Sequence, residues 1–320
     1  MPEVVITGGA GFIGSNLAEY YIGQGWKVAV IDDLSHGSRE NLNGINAQAN
    51  FSFIQADIRA PGVLERQFKT ADCVVHLAAY KIPRYGDALK TLTINNEGTR
   101  AVMECAAKYR LKTILASTSD VYGKNPKTPF AENGDLLLGA SNIRRWSYAA
   151  SKVFDEHLTM AYHNEQELPA VILRFFGSYG PHNHRSWWGG PQAVFIEQAL
   201  RNQPLTVHGD GKQTRSFCYI SDTIAGIVKA IENDEANGEI INIGSENEIE
   251  IIDLAKMIIE MTNSESQIKF VPYESFGGGY EDVQRRVPDL TKAENLLGFK
   301  TQISLAEGLG KTIAWHRQFI

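Results

Sequence analysis

The chain opens on a β-branched run, Glu3-Val4-Val5-Ile6-Thr7, that passes straight into Gly8-Gly9-Ala10-Gly11-Phe12-Ile13-Gly14. Helical periodicity follows from Phe12 to about Ile22. Short apolar runs recur at 27–31, 51–55, 73–77, 113–116 and 170–174. Each is too short for a helix and is bounded by polar or glycine-rich residues, so each reads as a strand. Helical stretches lie between them, notably from about Ala88 to Arg110 and from Tyr148 to about Glu165. Strands alternating with helices predict an α/β fold, a Rossmann-type doubly wound parallel sheet covered on both faces. Residues 239–243 read as a strand that returns to that sheet. Beyond Pro181 the pattern becomes a smaller α/β piece with a helix at 192–201, a strand at 205–208 and a helix from Asp222. Residues 124–144 show no period, and a loop that long inside a compact domain is usually functional, often a lid.

Ligands of such sheets sit outside the carboxyl ends of the strands. The Gly8 turn, Asp32, Ala78, Thr118 and Phe176 all fall at strand ends, and so on one rim. Gly8, Gly11 and Gly14 let the backbone turn tightly and let its N–H groups approach a pyrophosphate at the head of a helix. Asp32, at the tip of the second strand, is placed for an adenosine ribose diol. Its charge repels a 2'-phosphate and so favours NAD over NADP. Asp57 either caps a helix or meets the adenine amine. Small residues at Ala78 and Ala79 suit close approach of the cofactor.

Charge and composition narrow the partners. The 320 residues carry a net charge of -6, which gives no basic footprint for nucleic acid or an anionic membrane. An anionic substrate must then be held by local arginines and helix N-termini. Cys73, Cys105 and Cys218 are scattered, with no CxxC, which argues for a reducing compartment, with the cytoplasm as the expectation. His182 and His184 sit in a polar, aromatic loop without a completing cysteine or carboxylate set, so no metal is expected.

The chemistry centres on Arg144-Arg145-Trp146-Ser147-Tyr148-Ala149-Ala150-Ser151-Lys152. Tyrosine and lysine four apart share a helix face. A phenol titrates at about 10, and a neighbouring ammonium favours the phenolate. Tyr148 is thereby read as a general base for a hydroxyl whose carbon loses hydride.

Gly8-x-x-Gly11-x-x-Gly14, Asp32, Asp57, His76-Leu77-Ala78-Ala79, Asn95-x-x-Gly98-Thr99, Ser117-Thr118-Ser119, Tyr148-x-x-x-Lys152, Tyr179-Gly180-Pro181 and Arg215 together resemble the extended short-chain dehydrogenase/reductase family. Within it they are similar to the NAD-dependent nucleotide-sugar epimerases, dehydratases and decarboxylases. The resemblance spans essentially the whole chain. It implies a dinucleotide domain of residues 1–174 with about 217–244, and a nucleotide-sugar domain of 175–216 and 245–320. It implies NAD bound by Gly8, Gly11, Phe12, Ile13, Gly14, Asp32, Asp57, Ile58, Leu77, Ala78, Ala79, Lys81, Asn95 and Phe175, with Tyr148 and Lys152 at the nicotinamide end. Catalytic roles fall to Tyr148, Lys152, Thr118, Ser119, Asp120 and Arg145. Lys81, Thr118, Gly177, Ser178, Arg185, Val194, Arg215 and Arg286 are implied to meet the substrate, with Arg215 and Arg286 on its diphosphate. A homodimer through the helices at 88–110 and 148–165 is also implied.

The shared first step of these enzymes is oxidation at sugar C4, and the later steps divide them. Arg145 in Arg-Trp-Ser-Tyr, an acid at Asp120, and Gly279-Tyr280-Glu281-Asp282 with Arg286-Val287-Pro288-Asp289 resemble the UDP-glucuronate decarboxylases and the UDP-apiose/xylose synthases. Lys81 is more like the lysine of 4-epimerases and some 4,6-dehydratases, and Gly177-Ser178 replaces a usual asparagine. The implied reaction is UDP-glucuronate-type decarboxylation first, UDP-sugar 4-epimerisation second and 4,6-dehydration third. Some proteins of this fold bind NAD without turnover, and the intact Tyr148 and Lys152 argue against that reading. The Trp187-Trp188-Gly189-Gly190 loop matches no subgroup.

Overall fold

Strands that are apolar at consecutive positions need cover on both faces, and the chain provides it. The structure, a computed structural model, describes residues 1–81, 87–276 and 281–320. The first half runs β1 (Glu3–Thr7), α1 (Phe12–Gly23), β2 (Lys27–Asp32), β3 (Phe51–Gln55), α2 (Val63–Phe68), β4 (Cys73–His76), α3 (Ala88–Tyr109), β5 (Lys112–Thr118), α4 (Trp146–Gln166) and β6 (Ala170–Phe175). There follow β7 (Ser178–Tyr179), α5 (Pro191–Leu200), β8 (Leu205–His208), β9 (Thr214–Ser216), β10 (Cys218–Tyr219), α6 (Ile220–Glu232) and β11 (Ile240–Ile243). The last part holds β12 (Glu248–Glu250), α7 (Ile251–Thr262), β13 (Ile268–Val271), β14 (Arg285–Arg286), α8 (Thr291–Leu297) and α9 (Leu305–His316).

Seven strands form one parallel sheet in the order β11-β6-β5-β4-β1-β2-β3. Side chains alternate across it. Val4 and Ile6 share a core with Leu17 and Ala18 of α1, whereas Val5 packs with Phe68 of α2 and Val102 and Met103 of α3. Fully burying each such residue is worth roughly 1.5–3 kcal/mol, which fixes the strand register. The chain leaves β1 toward β2 and β3, then returns to β4 on the other side. That reversal opens a crevice between the carboxyl ends of β1 and β4, where this architecture binds its ligands. As expected, β11 rejoins the sheet beside β6.

The remainder is a mixed α/β region with small sheets β7–β10, β12-β9-β14 and β8–β13. In the second of these, Arg215 and Arg286 are register partners on adjacent strands. Like charges side by side destabilise a ladder unless an anion lies between them.

Two expectations need correction. Asp57 caps no helix, because α2 begins at Val63 behind Gly62. Its carboxylate holds Arg59, with Nη2 at 2.7 Å. The 124–144 loop is not a free lid. Phe130 is buried, stacks on Tyr122 at 4.7 Å, and exchanges backbone hydrogen bonds with Val287 and Asp289. Its missing period reflects pairing with a distant segment rather than lack of structure. Of the glycine-rich stretch read from the sequence, residues 277–280 lie outside the described residues. Among those described, no helix is long and apolar enough to cross a membrane.

Candidate active site

A cleft of about 1020 Å³ lies over the strand ends and reaches from the Gly8 turn to Arg286. Its floor depends on glycine. Gly8 has φ 71°, and a Cβ there would stand 2.7 Å from the Ala78 amide nitrogen. A Cβ on Gly14 would stand 2.5 Å from the Gly8 carbonyl oxygen. The β1 turn, the start of α1 and the end of β4 therefore meet as closely as a bare backbone permits. The N-terminus of α1, 12 residues long, points its free N–H groups into this cradle. Asp32 is nearly buried, and its carboxylate accepts from Ala10 N at 3.0 Å and Leu34 N at 2.8 Å. Burial raises its pKa while those two N–H groups oppose the rise. A diol donating to its remaining lone pairs is the natural complement. The cradle, the helix terminus and Asp32 fit a dinucleotide.

Phe12, Ile13, Gly11, Asp57, Ile58, Leu77, Ala78, Ala79 and Phe175 also line the cleft, as do Gly177, Ser178 and Arg185. Asn95 and Val194 do not. Asn95 is buried on α3 and braces the β4 loop, accepting from Tyr80 N at 2.7 Å and donating to Ser151 Oγ at 2.9 Å. Its amide ties the loop and α4 together. Val194 is buried on the inner side of α5, because the helix turns Gln192 to the cleft.

Tyr148, Thr118, Ser119, Asp120 and Lys152 come together on the opposite wall. Here the expected electrostatics change. The phenol of Tyr148 is pushed up, first by burial and then by the charges of Asp120 and Asp155, with the Thr118 hydroxyl opposing. The ammonium that should lower it is drawn elsewhere: Lys152 Nζ lies 3.3 Å from Asp155 Oδ2. Burial first, and the two acids after it, thus favour the neutral phenol. Lys81 also lines the cleft, at an exposed position.

Arg145, Arg215 and Arg286 gather at the other end of the cleft. Arg145 Nη1 donates to Asp282 Oδ1 at 3.0 Å and to the Glu281 carbonyl at 2.9 Å. Arg215 Nη2 donates to the same Asp282 oxygen at 3.0 Å. Arg286 pairs with Asp120, which also lies 3.5 Å from Arg145 Nη2. Burial works to raise Asp282, but Arg215, Arg145, the Tyr273 hydroxyl and Arg286 carry it well below the usual carboxylate range. Asp282 on Arg215 and Asp120 on Arg286 supply the anions that the β9–β14 ladder requires.

The tryptophan loop closes the cofactor side. Trp188 packs on His36 with ring centroids 4.4 Å apart, and His36 on Tyr80 at 4.8 Å. Trp187 stacks on His208 at 4.0 Å. Neither histidine of the 182–184 pair joins a metal-binding group. Among the described residues no cluster of three ligating side chains occurs, and His182 instead meets Ser15 Oγ at 3.0 Å.

Residues 5–312 match the family model described as GDP-mannose 4,6 dehydratase. The UDP-N-acetyl-alpha-D-glucosaminuronate decarboxylase of Bacillus cytotoxicus is 39% identical, over 98% of this chain and 97% of that protein. UDP-glucuronic acid decarboxylase 2 of Arabidopsis thaliana is 34% identical, over 99% of this chain and 68% of that protein. The chain belongs to the NAD-dependent nucleotide-sugar epimerase, dehydratase and decarboxylase family. Its shape agrees: the crystal structure of the UDP-glucuronic acid 4-epimerase of Bacillus cereus, in complex with UDP-glucuronic acid and NAD, superposes with a TM-score of 0.90. The two are 30% identical, over 99% of this chain and 100% of the other. Within this nucleotide-sugar enzyme, sequence reasoning missed Asp155, His36 and the anchoring role of Asp282. Asp155 had a signal, since it stands one turn beyond Lys152 on the same helix. His36 had none, because only the folded loop brings it to Trp188.

Proposed function

We propose that the enzyme decarboxylates a UDP-hexuronate through transient oxidation at C4, with NAD as its cofactor. The observation that carries this reading is the position of Arg145. It stands one helical turn before Tyr148 and is bracketed by Asp282 and Asp120. The full-length likeness to two decarboxylases supports it. Gly8, Gly11, Gly14 and Asp32 would hold the dinucleotide, which when bound supplies the acceptor and later the donor of the C4 hydride.

The chain's own residues do the rest. Tyr148 takes the proton of the 4-hydroxyl. Thr118, on the adjoining strand end, orients that oxygen. With a ketone at C4, the C5 carboxylate is a β-keto acid. Its C–C bond breaks with the electron pair moving into an enolate on O4, where the protonated Tyr148 and Thr118 donate hydrogen bonds. Arg145 orients the carboxylate, and its own aspartate partners keep it from clamping that group too tightly to leave as carbon dioxide. Arg215 and Arg286, paired side by side, suit the two phosphates.

The test is incubation with NAD and either UDP-glucuronate or its 2-acetamido counterpart, followed by NMR. Carbon dioxide and a nucleotide pentose support the reading. A C4 epimer that retains the carboxylate would replace it with 4-epimerisation, the reading favoured by the Bacillus cereus structure. Phe154 of α4 is an exposed aromatic beside Glu97 and Arg100 of α3. A second copy of the chain packed there would cover it, which light scattering tests.

A further inference from the structure

Behind the reacting face, α4 carries a carboxylate that this chemistry leaves unused. Asp155 is 0% exposed. Neither of its oxygens meets an aligned hydrogen-bond donor. Its nearest opposite charge is Lys152 Nζ at 3.3 Å. Burying an acid is costly, and the Lys152 ammonium is the charge that offsets that cost. From α3 the Thr99 hydroxyl lies close enough to favour its ionised form. Thr99 Oγ1 is 3.1 Å from His76 Nε2, and His76 Nδ1 is 2.7 Å from Thr7 Oγ1, beside the Gly8 turn. His76 stays neutral, pushed down to about 3 by burial and by Lys152. Glu156, next along the helix, is a like charge already tied to Arg174. The groups whose charge reaches Asp155 are therefore Lys152 and, more weakly, Glu156 and the Tyr148 phenol.

We propose that Asp155 is a positioning residue that holds the Lys152 ammonium and offsets its charge at Tyr148, so that it sets the pH at which the base works. The proposal rests on the assignment of Tyr148 and Lys152 as base and cation, not on which sugar is turned over. Burial, Asp120 and Asp155 disfavour the ionised phenol and the Thr118 hydroxyl favours it, as does any ammonium close by. Removing Asp155 alone takes away one of the opposing charges and leaves the Lys152 ammonium without its partner.

The experiment compares Asp155→Asn with the parent protein, both loaded with NAD. Tyr148 ionisation is followed by ultraviolet difference spectroscopy, with Tyr148→Phe as the blank. The expected result is a downward move of about one pH unit, or about tenfold more phenolate at a pH above the Asp155 titration and below both phenol titrations. The acidic limb of kcat/KM should follow with whichever nucleotide sugar is turned over. Asp155→Ser, smaller and equally neutral, gives the same direction if the asparagine variant does not fold. An unmoved phenol, or an upward move, overturns the proposal. Failure of decarboxylation with the phenol still shifted overturns the proposed reaction alone.

Discussion

Burial of Asp155 has a consequence for stability that needs no substrate. Its pKa is raised from the ordinary 3.8 to about 6, chiefly by burial, with Lys152 and Thr99 opposing. Between those values the folded chain binds a proton that the unfolded chain has lost. The slope of unfolding free energy with pH follows protons bound unfolded minus folded, and is negative here. Stability is therefore present in full below about pH 4 and is lost as pH rises through 6. At 1.36 kcal/mol per pH unit, the rise is worth about 3 kcal/mol. Asparagine has nearly the same shape and no charge to desolvate, so Asp155→Asn escapes this loss. Groups not coupled to Asp155 titrate alike in both proteins and cancel in the difference. A chain of this length has an unfolding entropy of about 0.7 kcal/mol/K, so the variant should melt about 4–5 °C higher at pH 7 than the parent. At pH 4 the gap should close. The assay is thermal denaturation of both proteins across that range. Parallel curves would refute the argument, since they would mean the carboxyl is solvated or already neutral.

Other outcomes follow from the same packing. Glu156→Gln strands the Arg174 guanidinium, now held by two bonds at 2.7 and 3.0 Å with both side chains under 5% exposed. The loss should be about 3–5 kcal/mol, a fall of several degrees in Tm, and an unchanged melt would mean the pair contributes nothing. Asp282→Asn should also lower Tm, yet the rise in Tm on adding a UDP-hexuronate should exceed the parent's, because Arg145 and Arg215 lose their competing anion. A smaller rise would show that Asp282 serves only to order them. Trp188→Ala removes an aromatic contact across the cofactor side and should speed NAD release about tenfold, read by fluorescence after rapid dilution; equal rates would make the loop irrelevant to cofactor retention.

Much of this architecture was legible because it is local. A glycine turn between a strand and a helix, an acid at the next strand tip and a Tyr-x-x-x-Lys helix each carry their meaning within a few residues, and the cleft gathers them. What escaped was set by distance in sequence. The hydrogen bonds between Asn95 and the Tyr80 loop join residues 15 positions apart, which no local spacing announces. Arg145 and Asp282 are 137 positions apart, so no spacing announces the pair. The lysine's charge was expected at Tyr148, and the buried Asp155 takes much of it.

The arginine cluster shows how an acidic chain can receive an anion at all. With a net charge of -6, long-range steering works against a nucleotide sugar. Three guanidiniums left bare at one end of a cleft would also repel each other, and two of them are neighbours on adjacent strands. Asp282 and Asp120 solve the second problem by standing where external oxygens would otherwise be needed. Binding is then an exchange of internal for external carboxylate and phosphate, made among groups already desolvated and oriented. Exchange yields less affinity than filling an empty site. It yields more discrimination, because a ligand lacking one anion leaves an arginine no better satisfied than its own aspartate did. A neutral hexose nucleotide should for that reason bind less well than the hexuronate, although it presents the same base and diphosphate.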